Sequence, residues 1–331
     1  MSLLSLTGCV STILAHKIVA PPNKSGIKPL FSDLGILEHA PEAFAETWIV
    51  PIQQPRADIA VASIEPGDYA FEYDLRLTYA DGKAPTISHF SASWRAAAEV
   101  ARYPVSKGTV ILLHGFLQNR NSMTPWAIRL AQAGYRCAVL DLRGQGASTG
   151  KHISFGAFEA RDVSAVIDDL GRRGWDVSRV GLLGISYGAS VALLTAGRDT
   201  RVKTVVAFEP FSSAERAVPE LMRAVFIDEA AGISDRQFAA AHAKQARVAG
   251  FDWKDADIPA ALKQTQAPVL FLHGEADAWL SPDHSRTLFQ YAPAGSKLEL
   301  VPKDNHVTLP LQIAPFEVEV IDWLDAGLKP H

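Results

Sequence analysis

Apolar positions along this chain change their spacing once, and sharply. Phe71, Tyr73, Leu75, Leu77 and Tyr79 alternate with Glu72, Asp74, Arg76 and Thr78, the period of a half-buried strand. "ADGK" (80–83) supplies a turn and "TISHFSASW" (86–94) a returning strand, so a hairpin is predicted. Beyond it the apolar residues run together: "TVILLHG" (109–115), "RCAVLDL" (136–142), "VGLLGIS" (180–186), "KTVVAFEP" (203–210), "PVLFLHG" (268–274) and "KLELVP" (297–302). Near-continuous apolar strands imply burial on both faces, and helical spacing in "TPWAIRLAQAGY" and "EARDVSAVIDDLGRRG" implies parallel crossovers. The predicted architecture is α/β: a mostly parallel open sheet with helices on both faces, entered by an antiparallel N-terminal hairpin.

Upstream the pattern is weaker. Residues 21–70 are rich in Pro, Ala and Asp, and "APPNKSG" and "VPIQQPRAD" read as turns, which predicts an irregular extension. Residues 1–20 open with fifteen uncharged positions, too short a run for a bilayer crossing of roughly 20 residues. They lack the basic residues that precede a signal core. Leu6-Thr7-Gly8-Cys9 resembles the bacterial lipobox, which implies a lipid anchor at Cys9 and an envelope location. The plainer alternative is an apolar N-terminal strand or helix on a cytoplasmic protein.

Composition narrows the function classes. A net charge of −4, with no cluster of Lys and Arg to track phosphates, argues against nucleic acid as a partner. Two cysteines exclude a disulfide framework and a Cys-based zinc site. No spacing of His, Asp, Glu or Cys suggests a metal, and nothing calls for an organic cofactor.

The chemistry centres on "GISYG", where Gly184 and Gly188 bracket Ser186 at a strand-to-helix join. Such a turn lifts the hydroxyl above the sheet and sets the following N–H groups at a helix N-terminus, where negative charge is stabilised. A serine hydroxyl also needs a base, and the base an orienting acid. In the order Ser, Asp or Glu, His, these should lie at later strand ends. Asp277 stands just past "PVLFLHG" and His306 just past "KLELVP", at the rim where open α/β sheets bind ligands.

With "LLHGF" (112–116), "DLRGQGAS" (141–148), "LHGEADAWLSP" (272–282) and "DNHVTL" (304–309), the stretch from about 71 to 328 resembles the α/β-hydrolase superfamily. It is most similar to the serine aminopeptidase-like and dienelactone-hydrolase-like groups. The dienelactone hydrolases use a cysteine nucleophile, from which Ser186 departs. The resemblance implies Ser186 as nucleophile, His306 as base and then acid, and Asp277 as the partner of the imidazole. It also implies an oxyanion hole from the backbone N–H groups of Phe116 and Tyr187. The insertion at about 212–266 is expected to form a short helical lid, whose Leu221, Met222, Val225 and Phe226 either line an acyl pocket or pack the lid to the core.

Rival assignments are few. Glu209 follows a strand and is a second possible acid, although Pro210 suggests a turn with an ion pair. His114 and His273 read as hydrogen-bonded loop shapers, and His284 as a surface residue. Asp141 and Arg143 read as loop-ordering charges, and Asp304 as a solvated one. The expected activity is carboxylic ester or thioester hydrolysis on a small-molecule acyl substrate. A peptidase, amidase or acyltransferase would use the same triad, and a noncatalytic binding protein could share the fold.

Overall fold

The computed structural model describes residues 3–24, 39–79 and 85–329, with side chains from residue 10 onward. The turn expected at 80–83 and the side chain of Cys9 lie outside the described residues.

An eight-stranded sheet carries the molecule. Strands β1 (Glu46–Gln53) and β2 (Arg56–Ile64) form an antiparallel pair at one edge. After a separate hairpin, β3 (Glu72–Thr78) and β4 (Thr86–Ser93), come the parallel strands. These are β5 (Thr109–Leu113), β6 (Arg136–Leu140), β7 (Val180–Ile185), β8 (Val202–Phe208), β9 (Val269–Gly274) and β10 (Lys297–Val301), and the sheet order is β1-β2-β6-β5-β7-β8-β9-β10.

Continuous apolar runs follow from two-sided burial. Ile111 and Leu113 of β5 face one core, whereas Val110 and Leu112 face the other. In β8, Val205 and Ala207 divide from Val206 and Phe208 in the same way. The first core is closed by α3 (Glu159–Arg172), α4 (Tyr187–Ala196), α7 (Ile258–Gln264) and α8 (Asp283–Phe289), and the second by α2 (Thr124–Gln132) and α9 (Ile313–Leu328). Both layers hold the same sheet rigid beneath one rim.

Two expectations change. Residues 46–64 are not irregular: they supply the edge hairpin that enters the main sheet, with β2 pairing antiparallel to β6. Pro51 is tolerated because β1 is an edge strand, where a missing N–H breaks no ladder on the open side. The predicted hairpin at 71–94 exists, but as its own two-stranded sheet. Phe71, Tyr73 and Trp94 pack against the second core, and Tyr73 Oη donates to the Leu311 carbonyl at 2.5 Å.

The insertion between β8 and β9 is helical, chiefly α5 (Ala214–Val225) and α6 (Asp235–Ala249). Against α6 lies α1 (Leu3–Ile18), whose Leu14 and Ala15 bury with Phe238 and Ala241. Lys244 adds bonds to Ser11 and Thr12 at 2.7 and 2.8 Å. The segment after α1 is tied down as well: Asn23 Nδ2 donates to the carbonyls of Gly146 and Ser148, and Val19 is fully buried. Among the described residues, no helix is long and apolar enough to cross a membrane.

Candidate active site

The bend after β7 explains its glycines. A Cβ on Gly184 would stand 2.4 Å from the Gly188 carbonyl oxygen, and one on Gly188 would stand 2.2 Å from the Leu113 oxygen. Strand, turn and neighbouring strand therefore touch backbone to backbone. Between them Ser186 adopts φ +52°, a conformation costing about 1–3 kcal/mol that only surrounding structure can enforce. Its N–H is anchored to the Phe208 carbonyl of β8 at 2.7 Å, and α4 starts at the next residue.

Two loops bring the partners. Gly274, at the end of β9, leaves room for the Asp304 backbone, which a Cβ there would meet at 2.4 Å. The Asp304 carbonyl accepts from Ala276 N–H at 2.8 Å, so the β9 and β10 loops are clamped together. Asn305 Oδ1 then accepts from the N–H groups of Val307 and Thr308, turning the chain tightly around His306.

The three side chains form one line. His306 Nε2 lies 2.9 Å from Ser186 Oγ, and His306 Nδ1 lies 2.6 Å from Asp277 Oδ2. Asp277 Oδ1 accepts from the N–H groups of Trp279 and Leu280 at 2.8 and 2.9 Å. Burial opposes the Asp277 charge, yet His306 and His273 outweigh it and hold the carboxyl well below the usual carboxylate range. An ionised Asp277 requires the proton on Nδ1, which leaves Nε2 as the acceptor facing the serine hydroxyl. The arrangement can take a proton from Ser186 and stabilise the resulting imidazolium.

Phe116 and Tyr187 flank the serine, and their rings stand 6.1 Å apart. Among the described residues, neither backbone N–H is taken up by a hydrogen bond, and that of Tyr187 is the first of α4. Leu221, Val225 and Phe226 border a narrow cavity at Ser186; Leu221, Met222 and Phe226 border a wider one.

The rival residues separate clearly. His114 is a loop shaper: Nε2 accepts from Leu142 N–H at 3.0 Å, and burial lowers its pKa. His273 stands behind the acid, with Nε2 3.0 Å from the Leu280 carbonyl and 3.2 Å from Asp277 Oδ2. Asp141 accepts from the N–H groups of Arg120 and Ala147, and Arg143 pairs with buried Asp162 at 2.6 and 2.8 Å.

Three expectations are corrected. His284 is not on the surface but fully buried, accepting from Ser212 N–H and facing Glu220 at 3.1 Å, because α8 turns it toward α5. Asp304 is not solvated: it is buried and bonded to Thr308 Oγ1 and Gln312 Nε2. Glu209, expected at a turn with an ion pair, faces the interior and His306. It is fully buried at φ +52°, with one oxygen 3.5 Å from His306 Nδ1. Among the described residues, neither of its side-chain oxygens has a well-formed hydrogen bond, although the Gly274 backbone lowers its pKa. Burial first, then the Asp277 charge, push the Glu209 pKa well above the usual carboxylate range.

Linear spacing gave no sign that Glu209, Asp277 and His306 bring ligand atoms within 4.8 Å of one another. A cation there would displace the hydrogen bond between Asp277 and His306. Trp279, whose ring lies 5.2 Å from that of His306, was also missed, although its position two residues past Asp277 was the available signal.

Comparison with known proteins places the fold. The family model described as the alpha/beta hydrolase fold matches residues 108–239. The alpha/beta hydrolase domain-containing protein WAV2 of Arabidopsis thaliana is 30% identical over 207 residues, 59% of this chain and 61% of that protein. The uncharacterized protein YqkD of Bacillus subtilis is 22% identical over 200 residues, 60% of this chain and 64% of that one. The match thus spans less than two thirds of either curated relative. Among solved structures, the Pyrococcus furiosus esterase Pf2001 superposes with a TM-score of 0.55 at 19% identity, covering 78% of this chain and 93% of the esterase. The chain has the α/β-hydrolase fold, and its residues 108–239 match the family model of that description.

Proposed function

We propose that this protein is a serine hydrolase that cleaves a carboxylic ester through an acyl-enzyme. The observation that carries the reading is the unbroken line Ser186 Oγ, His306 Nε2, His306 Nδ1, Asp277 Oδ2, with steps of 2.9 and 2.6 Å at its two ends. In this reading Oγ attacks the carbonyl carbon as its proton passes to His306 Nε2. Charge develops on the carbonyl oxygen between the N–H groups of Phe116 and Tyr187, where losing one donor costs about 3 kcal/mol in typical acyl-transfer sites. The imidazolium gives its proton to the alcohol oxygen, the C–O bond breaks, and the alcohol leaves. Water then enters, loses a proton to His306 and releases the acid, restoring Ser186.

Ester hydrolysis leads because a neutral, largely apolar cleft lies at the serine and the fold most often hosts that reaction. A fluorophosphonate probe tests it: wild type should label and hydrolyse p-nitrophenyl esters, whereas Ser186→Ala should do neither and His306→Ala should acylate at least about 10³-fold more slowly. A folded wild type that neither labels nor turns over would overturn the proposal and favour a noncatalytic binding protein.

A further inference from the structure

Ser186 stands where two cavities meet. The narrow one, about 50 Å³, lies on the side of His306 and is bounded by Trp279, Val307 and Tyr73. The wide one, about 620 Å³, lies against Tyr187 and is bounded by Ile13 of α1, Ala217, Val218 and Ile233. Phe116, Leu221 and Phe226 border both, so they form the divide.

We propose that the wide cavity receives the acyl chain of the substrate and the narrow one its alcohol, so the preferred ester joins a medium or long apolar acid to a small alcohol. This rests on the serine-hydrolase reading above. The direction follows from the proton. His306 Nε2, 2.9 Å from Oγ, must hand its proton to the departing oxygen, and the imidazole borders the narrow cavity but not the wide one. The departing alcohol therefore occupies the His306 side. The carbonyl oxygen is held at the divide, between Phe116 and Tyr187. The remaining substituent of the carbonyl carbon, the acyl chain, points into the wide cavity.

The chemistry of the walls agrees. The wide cavity has the volume of ordinary small-molecule pockets, roughly 300–1,000 Å³, and is lined mainly by aliphatic and aromatic side chains. Its charged lining residues, Lys17 and Glu229, are both exposed, which places charge at the mouth and leaves the interior apolar. An alkyl chain gains by leaving water for such a space, and each added methylene adds to the gain until the wall is reached. The narrow cavity, at about 50 Å³, offers no comparable volume. One wall of the chamber is the N-terminal helix itself, held there by Leu14, Ala15 and the bonds from Lys244.

Two isomeric esters test this directly: ethyl octanoate and octyl acetate have the same atoms and differ only in which side carries the chain. In a pH-stat, kcat/KM for ethyl octanoate should exceed that for octyl acetate at least tenfold; equal or reversed values overturn the proposal. Ala217→Phe and Ile13→Trp should each lower the ratio of ethyl octanoate to ethyl acetate hydrolysis at least fivefold. Ile13 is 54% exposed, so its variant reads out even where the buried Ala217 site rejects a larger ring. An unchanged ratio in Ile13→Trp together with a folded, unchanged Ala217→Phe also overturns it. A wild type that labels with fluorophosphonate and hydrolyses ethyl acetate, yet fails the isomer comparison, sinks only the cavity assignment. One that neither labels nor hydrolyses any ester sinks both readings.

Discussion

Removing the Asp277 charge should cost less here than in a site with one acid, because a second carboxyl waits within reach. In single-acid triads, replacing the aspartate by asparagine lowers kcat by about 10⁴, or about 5.4 kcal/mol at 1.36 kcal/mol per decade. Glu209 lies 3.5 Å from His306 Nδ1, against 2.6 Å for Asp277. At an effective dielectric of about 20, gross attraction at the longer distance is about three quarters of that at the shorter one. With Asp277 neutral, the like charge that raises the Glu209 pKa is gone, and an imidazolium formed in the proposed acylation favours its ionisation. Burial still opposes that ionisation, and the 2.6 Å hydrogen bond is lost. Asp277→Asn should therefore lose about 10²–10³ in kcat/KM, less than the single-acid figure. Glu209→Gln alone, which leaves the 2.6 Å bond between Asp277 and His306 in place, should lose less than about fivefold. The double variant should fall to the full loss of about 10⁴. The assay is kcat/KM on a p-nitrophenyl ester at pH 7.5 for all four proteins of the cycle. A double variant no slower than Asp277→Asn would refute the reserve role of Glu209.

Further outcomes follow from burial and close contact. Gly188→Ala should destabilise the protein by about 3 kcal/mol, the upper part of the range for overpacking, since the new Cβ meets backbone oxygens of Leu113 and His114 at 2.2 and 2.6 Å. Urea denaturation checks it, and an unchanged midpoint would contradict the elbow geometry. His284 should make the fold acid-sensitive: burial chiefly, with Arg216, lowers its pKa to about 4 despite Glu220. Between about 6.5 and about 4 the unfolded chain binds a proton that the folded one refuses, so stability falls as pH falls through that window. Between pH 7 and 5 this amounts to about 2 kcal/mol. His284→Gln should shrink the difference in unfolding free energy between those two pH values by that amount, leaving the contribution of His114, which burial lowers in the same direction. An undiminished difference would mean that His284 is charged or solvated in the folded state.

What could be read from the chain, and what could not, divides by the range of the cause. Parallel strands announced themselves because Val110, Ile111, Leu112 and Leu113 must all be apolar when both faces are covered. Ser186, Asp277 and His306 were legible for a related reason: equivalent ends of parallel strands share one rim, so position along the chain translates into position in space. The edge hairpin at 46–64 was hidden by Pro51 and Pro55, which signal turns locally but cost an edge strand little. Glu209 was legible as a possible acid from its place after a strand, but its burial was not, because its neighbours Gly274, Asp277 and Asp304 come from other strand ends. Nor does any periodicity link Ile13 or Leu14 with residues more than 200 positions away, though α1 and α6 share a buried contact.

The hydroxyl and the imidazole that would activate it are 120 positions apart and meet only when β7, β8, β9 and β10 lie side by side. Helices form in about a microsecond and long-range strand pairing far later. During refolding, circular dichroism should therefore recover before turnover does. Recovery of the proposed hydrolysis would time a long-range event of assembly, the arrival of the most C-terminal strand at the edge of the sheet.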